Sequence, residues 1–236
     1  KKDRAATIGM IIFFSILAIL TVLPIYLLVL ASFKPGNFLL QYGLNLNLDI
    51  PHLTLDNYKL LFTGKHDYWT WFGNSLILTV ITVILTLAIS AFVAYGFAAY
   101  DFKGKNFFFI IVLLILSVPF EVIMLPLYKQ ISSWGMMDSY VSVVLPFLAH
   151  ASTIFFFRQY LLGLPKSLIE AGRIDGATEY GIFFKLIVPI MKPAFSAMAI
   201  LNGMNAWNNY LWPLLVIRSA DTVSYTHLTL PTKRIV

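Results

Sequence analysis

Five stretches of this chain are apolar for about 20 residues each, the length a helix needs to cross the hydrocarbon core of a bilayer. They cover approximately 8–31, 72–99, 106–128, 140–157 and 194–217. Such runs leave little freedom. A backbone in hydrocarbon must bond its own N–H and C=O groups, and a helix does so within each segment. The predicted fold class is therefore all-α, a polytopic transmembrane helical domain. Composition excludes a large soluble domain, because only 12% of residues are charged and soluble domains carry about twice that fraction. Mean hydropathy is +0.80. Pro24, Pro119, Pro126 and Pro146 fall inside the runs, where membrane helices tolerate the kinks they cause.

The polar segment 32–68 holds Pro35, Gly36, Gly43, Pro51 and Gly64, so it lies outside lipid. A short amphipathic helix is predicted over 54–62, with Leu55, Tyr58, Leu61 and Phe62 on its apolar face. Trp69 and Trp71 mark a membrane interface, where amphipathic aromatics collect.

One long segment, 164–193, is both charged and strongly patterned. Pro165 suits a helix start, Leu168, Ile169 and Ile174 recur at helical spacing, and Gly176 suits a left-handed helix end. A second helix is predicted over 177–187, stopped by Pro189 and Pro193. The result is a helical hairpin whose small residues, Ala171, Gly172, Gly176 and Ala177, allow another backbone to approach closely.

The run Glu170-Ala171-Gly172, then Gly176, then Leu186-Ile187-Val188-Pro189 resembles the cytoplasmic EAA loop of binding-protein-dependent ABC importer permeases. That pattern is Glu-Ala-Ala, three residues, Gly, nine residues, Ile, any residue, Leu-Pro, and the spacing here matches throughout. Gly172 replaces the second Ala, Leu186 replaces Ile and Val188 replaces Leu. The wording Arg173-Ile174-Asp175-Gly176-Ala177 is similar to the carbohydrate-type permeases, and the resemblance covers about 53–217. It implies the type I importer permease fold with six spans. It also implies an ATPase-coupling loop made of Glu170, Ala171, Gly172, Asp175, Gly176, Ala177 and Pro189. The implied partners are a second, different permease, a dimer of ATP-binding subunits and an extracytoplasmic sugar-binding protein. Multi-pass residence in a bacterial inner membrane is implied as well. The chain itself is expected to perform no chemistry and to need no cofactor.

The Lys/Arg bias orients the chain independently, since cytoplasmic loops carry the excess. One side holds Lys1, Lys2, Arg4, Lys103, Lys105, Arg158, Lys166, Arg173, Lys185 and Lys192. The other holds Lys34, Lys59, Lys65, Lys129 and Arg218, although its first loop is the longest. The N-terminus and the charged hairpin are thereby expected in the cytoplasm.

The sequence contains no G-x-x-x-x-G-K-[ST] phosphate loop and no H-E-x-x-H or G-x-S-x-G motif. With no cysteine and four dispersed histidines, neither a metal site nor a disulfide is expected. Nothing points to nucleic acid. Two polar features inside spans remain. Glu121 either lines a transport path or a partner contact, or it reaches water near the outer interface. Asn202, Asn205 and Asn209 share one face at about 100° per residue. Amides there either line a path or hydrogen-bond neighbouring helices. With Tyr210 and Trp212, Asn209 offers the amide and flat aromatic chemistry that sugars need.

The expected function is a transmembrane permease subunit of an ATP-driven sugar importer. A permease for another solute, such as glycerol phosphate or a peptide, is the nearest alternative. A secondary transporter would need a charge relay or an inverted repeat, neither of which is evident. Residues 1–222 are expected to form this domain, truncated before a sixth span, with 223–236 a non-native tail resembling translated sequencing adaptor.

The Lys/Arg bias generates a topology prediction. In intact cells an impermeant thiol reagent should label Lys59→Cys and spare Lys103→Cys. Labelling of the latter would overturn the orientation.

Overall fold

The computed structural model describes residues 2–36, 38, 39, 43, 52–63 and 68–217. The tail 223–236, Pro51, Gly64, Lys65 and Arg218 lie outside the described residues. The chain divides into two compact units, Lys1–Trp69 and Thr70–Val236.

In the first unit, α1 (Lys2–Ser32) carries Pro24 inside it. Its apolar span Ala6–Ser32 is left almost wholly uncovered by the protein, with Leu30 near its end buried. A helix apolar on every side and left uncovered has the surface that lipid accommodates. Its last carbonyls, which no helix can satisfy internally, are met by the next element. From α2 (Asp56–Thr63), Asn57 donates its amide to Ser32 O at 2.9 Å and Lys34 O at 2.8 Å. The Tyr58 hydroxyl lies 2.7 Å from Ser32 Oγ.

The second unit is built on α3 (Tyr68–Ala99). Its buried stripe of Ser75, Leu78, Thr82, Thr86, Ser90, Ala91 and Ala94 is mostly small, which lets other helices approach in the absence of a hydrophobic drive between them. Then follow α4 (Lys105–Leu116) and α5 (Phe120–Ser133), α6 (Tyr140–Val144, continued by a 3₁₀ turn to Phe147) and α7 (Ala151–Leu162). Next come α8 (Ser167–Ile174), α9 (Glu179–Ile190), α10 (Lys192–Trp207) and α11 (Leu211–Val216). α1 and α3 are long and apolar enough to span a bilayer singly, and bent pairs bring the possible total to five.

Three predicted continuous segments are instead broken. The span over 106–128 is α4 and α5, bent by 103°. Pro119 takes an extended conformation ahead of α5 and disfavours helix at Val118, whereas Pro126 sits inside α5 without ending it. The span over 140–157 bends by 43° between Phe147 and Ala151 and continues to Leu162. The span over 194–217 ends first at Trp207. Asn208 folds its amide back onto Met204 O at 2.8 Å, and in a continued helix the ring of Pro213 would clash with Asn209 O. A fourth correction concerns α9. It runs through Pro189 and turns by 74° at Met191, because a π turn over Phe183–Ile187 already opens the hydrogen-bond ladder where Pro189 cannot donate.

Phe97, Phe109 and Ile154 form one small apolar cluster, and two larger ones hold the unit. One packs Ala91, Ala94 and Tyr95 of α3 against Phe157, Leu161, Ile182, Phe183, Ile187, Met191 and Met198. The other packs Leu78 against Ile131, Val143, Val144, Trp212 and Val216. Side chains cover the backbone freed at the breaks. Thr86 donates to Phe147 O at 2.8 Å and the Trp212 indole to Ser142 O at 2.9 Å.

Thr86 is 1% exposed, so Thr86→Val removes a hydroxyl from a packed site without changing its shape. The detergent-solubilised protein should lose about 1 kcal/mol of stability, the usual worth of such a bond, seen as a lower thermal midpoint. An unchanged midpoint would show that Phe147 O needs no partner.

Candidate functional site

The hairpin α8–α9 is closed by a backbone device at its tip. Ala177 N donates to Gly172 O at 3.0 Å and Gly176 N to Arg173 O at 3.1 Å, with Gly176 at φ +76°. This is the Schellman arrangement, in which a left-handed glycine lets the last carbonyls of a helix be satisfied. Thr178 then caps α9 by accepting from Gly181 N at 3.1 Å. The second glycine works differently. A Cβ on Gly172 would lie 3.0 Å from Ile182 Cγ1, and Ile182 is 1% exposed. The departure from Ala at this position is the close approach of α8 to α9.

A polar network ties the hairpin to the end of α3. Arg173 Nε donates to Glu179 Oε1 at 2.7 Å and its terminal nitrogen to Oε2 at 3.4 Å. Tyr100 donates its hydroxyl to Glu179 Oε2 at 2.5 Å. The Arg173 guanidinium lies 5.7 Å from the Tyr100 ring centre. The bonds from Arg173 and then Tyr100 hold the Glu179 carboxyl below its usual range. Burial, and then the bond to Glu179, push the Tyr100 hydroxyl up. Glu179 is thus a carboxylate at neutral pH. The sequence displays Arg173 and Glu179 as charges, but nothing local pairs them with Tyr100, which is 79 positions from Glu179.

The outer face of the hairpin is open. Glu170, Ala171, Asp175, Gly176, Ala177 and Pro189 are exposed. Among them stand Ile174 at 85% exposure and Tyr180 at 73%.

The second candidate region is a cavity of about 400 Å³. Ser75, Thr82 and Thr86 of α3 form one wall. The other walls come from the helix breaks, with Phe120 and Glu121 after the first, Phe147 and His150 at the second, and Asn205, Trp207 and Asn209 at the third. Irregular backbone at membrane depth is tolerated where it lines such a space.

Of the path residues read from sequence, Glu121, Asn202, Asn205 and Asn209 line this cavity. Tyr210 and Trp212 are not in its lining. Trp212 is fully buried in the apolar cluster with α5 and α6. Asn202 also bridges helices, donating to Thr153 Oγ1 at 3.0 Å and to Met198 O at 2.9 Å. Asn209 lies beyond the end of α10, so it reaches the cavity through the chain break rather than a shared helix face. The hydroxyls of α3 escape a local reading, although Ser75, Thr82 and Thr86 recur at spacings of seven and four on one face of an apolar helix. Among the described residues no three His, Asp or Glu side chains group as metal ligands.

The fold and these regions define a class first: a membrane-embedded helical permease domain that carries a charged hairpin. The comparisons give the family. Residues 90–230 match the model of the binding-protein-dependent transport system inner membrane component, and the chain belongs to that family. It is 51% identical over 208 residues to the arabinooligosaccharides transport system permease protein AraQ of Halalkalibacterium halodurans, covering 88% of this chain and 75% of that protein. The protein of the same name from Bacillus subtilis is 50% identical over 214 residues, covering 91% and 76%. A crystal structure of a bacterial ABC transporter involved in the import of the acidic polysaccharide alginate contains a chain with the same fold. The TM-score is 0.79 at 24% identity, covering 94% of this chain and 78% of that one.

The contact between Gly172 and Ile182 predicts a sign reversal. Gly172→Ala alone should lower hairpin stability, because Ile182 Cγ1 must move. In an Ile182→Ala background the same change should raise it, by about 1 kcal/mol of helix propensity. Hydrogen exchange of the α8 amides measures both arms, and equal effects in the two backgrounds would refute the contact.

Proposed function

We propose that this chain is the permease subunit of an ATP-driven importer of oligosaccharides, with arabinose oligomers the first class to test. It forms half of the translocation path and pairs with a second, different permease. Its N-terminus and hairpin face the cytoplasm, where a dimer of ATP-binding subunits docks on Glu170, Ala171, Gly172, Asp175, Gly176, Ala177 and Pro189. An extracytoplasmic sugar-binding protein delivers the solute from the other side.

The observation that carries this reading is the hairpin tip, where Ile174 and Tyr180 stand exposed beside small and charged residues. Helix-in-groove docking needs such an apolar face and a close approach. The substrate class rests on the names of the relatives and on the cavity. Its lining offers hydroxyls, amides and aromatic rings, and it contains Glu121 but no Lys or Arg among the described residues. Neutral sugars suit that chemistry, whereas a phosphate ester requires cationic partners. The mechanism is conformational. Closure of the ATPase dimer displaces the hairpin, and the spans alternate access to the path, driven by differential contact in two states.

The test is reconstitution of the complete complex in proteoliposomes. ATP-dependent uptake of an arabinose oligomer should require the binding protein, and failure of uptake with the parent chain would overturn the reading. Gly176→Leu should leave the protein in the membrane and uncouple hydrolysis from uptake. A branched side chain at φ +76° costs about 1–2 kcal/mol, roughly tenfold in the population of the docked hairpin. Normal uptake in that variant would remove the hairpin from the coupling role.

A further inference from the structure

We infer that Arg173, Glu179 and Tyr100 form the clasp through which movement of the hairpin reaches α3, making Tyr100 a positioning residue for coupling. This rests on the proposed role of the hairpin as the docking element.

Two routes connect the hairpin to the spans through the chain itself, and both contain a weak point. Toward α7 the chain passes Gly163, Leu164 and Pro165, and a cavity of about 210 Å³ separates parts of α8 from the ends of α3 and α7. Toward α10 it passes a π turn and the 74° bend at Met191. A push along either route meets a joint.

The side-chain route is direct. Gly172 and Ile182 bring α8 and α9 into contact, so the two helices respond together. Both oxygens of Glu179 are engaged, one mainly by Arg173 from α8 and the other by Tyr100 at the end of α3. Arg173 also faces the Tyr100 ring. One carboxylate at the start of α9 therefore joins three elements. One turn further on, Phe183 stacks on Phe92 at 4.4 Å and contacts Tyr95 at 5.2 Å, both on α3. The clasp and this aromatic contact lie on the same two helices and fix α9 to α3 at two points. Charge-assisted bonds suit the outer point, because they are short and directional, and Arg173 and Glu179 keep about 40% of their side-chain surface in water. The clasp can therefore stay closed through the cycle without the cost of fully desolvating a charge.

The experiment uses the complete complex in proteoliposomes. Parental uptake establishes the importer, and the variants then test the clasp separately. Tyr100→Phe removes only the hydroxyl and Glu179→Gln only the charge. Both should assemble and hydrolyse ATP at the parental rate, while solute moved per ATP falls roughly tenfold, which corresponds to about 1.4 kcal/mol. The exchange Arg173→Glu with Glu179→Arg should restore part of the yield per ATP. Because the chain has no cysteine, spin labels at Ser167→Cys and Lys103→Cys report the distance between the hairpin and the turn that follows α3. That distance should stay narrow with and without ATP in the parent and broaden in Glu179→Gln. An unchanged yield per ATP in assembled Tyr100→Phe and Glu179→Gln complexes would overturn the clasp. So would a parental distance that changes with ATP.

Discussion

Every helix break in this fold is governed by the need to bond backbone polar groups where no water reaches them. Unbroken helices such as α1 and α3 meet it internally over most of their length, except at their ends and, in α1, at Pro24. The other three spans do not. Prolines and asparagines interrupt them, and each interruption strands carbonyls and amides. The structure answers with hydrogen bonds from elsewhere in the chain: the Thr86 hydroxyl to Phe147 O, the Trp212 indole to Ser142 O and the backbone N–H of Asp138 to Val216 O. The breaks gather around one cavity, so the same irregularities that endanger the fold also create its polar interior. A permease domain of uninterrupted helices would be more stable and would enclose nothing.

The hairpin solves a different problem, that of holding its shape with only two short helices. Its rigidity is local at the tip, where Gly176 closes a Schellman turn, and tertiary at the base, where Gly172 admits Ile182. Two glycines thus act oppositely. One is required for its backbone angle and has open space around it; the other has ordinary helical geometry and is required for its missing side chain.

Much of this was legible in the chain. Span number, the helical hairpin and the role of Gly176 follow from runs of apolar residues and from single-residue chemistry, both of which are local. The failures are equally informative. Pro189 was expected to end a helix because proline lacks a donor, but the rule assumes an intact ladder, and the π turn had already opened it. The asparagine face was projected along an unbroken helix, yet Asn208 and Pro213 together end α10 before Asn209. Residue type alone groups Trp212 with the sugar-binding chemistry, whereas packing against α5 and α6 takes it into the core. The Tyr100–Glu179 pair could not be read at all, since its partners are distant in sequence and neither is unusual where it stands.

The π turn in α9 also sets a phase. A turn that holds one residue more than an α turn displaces everything before it by about 100° around the axis relative to everything after it. Within the turn Phe183 and Phe184, adjacent in sequence, both reach Phe92. Thr178 and Glu179 lie on one side of the turn, and Pro189 and the bend at Met191 on the other. A single-residue deletion between Phe183 and Ile187 would close the ladder to α spacing, bring the ring of Pro189 against the carbonyl four residues before it, and rotate the start of α9 away from α3. Length in this short segment is therefore more constrained than composition, and related chains should exchange its apolar residues freely while keeping their count.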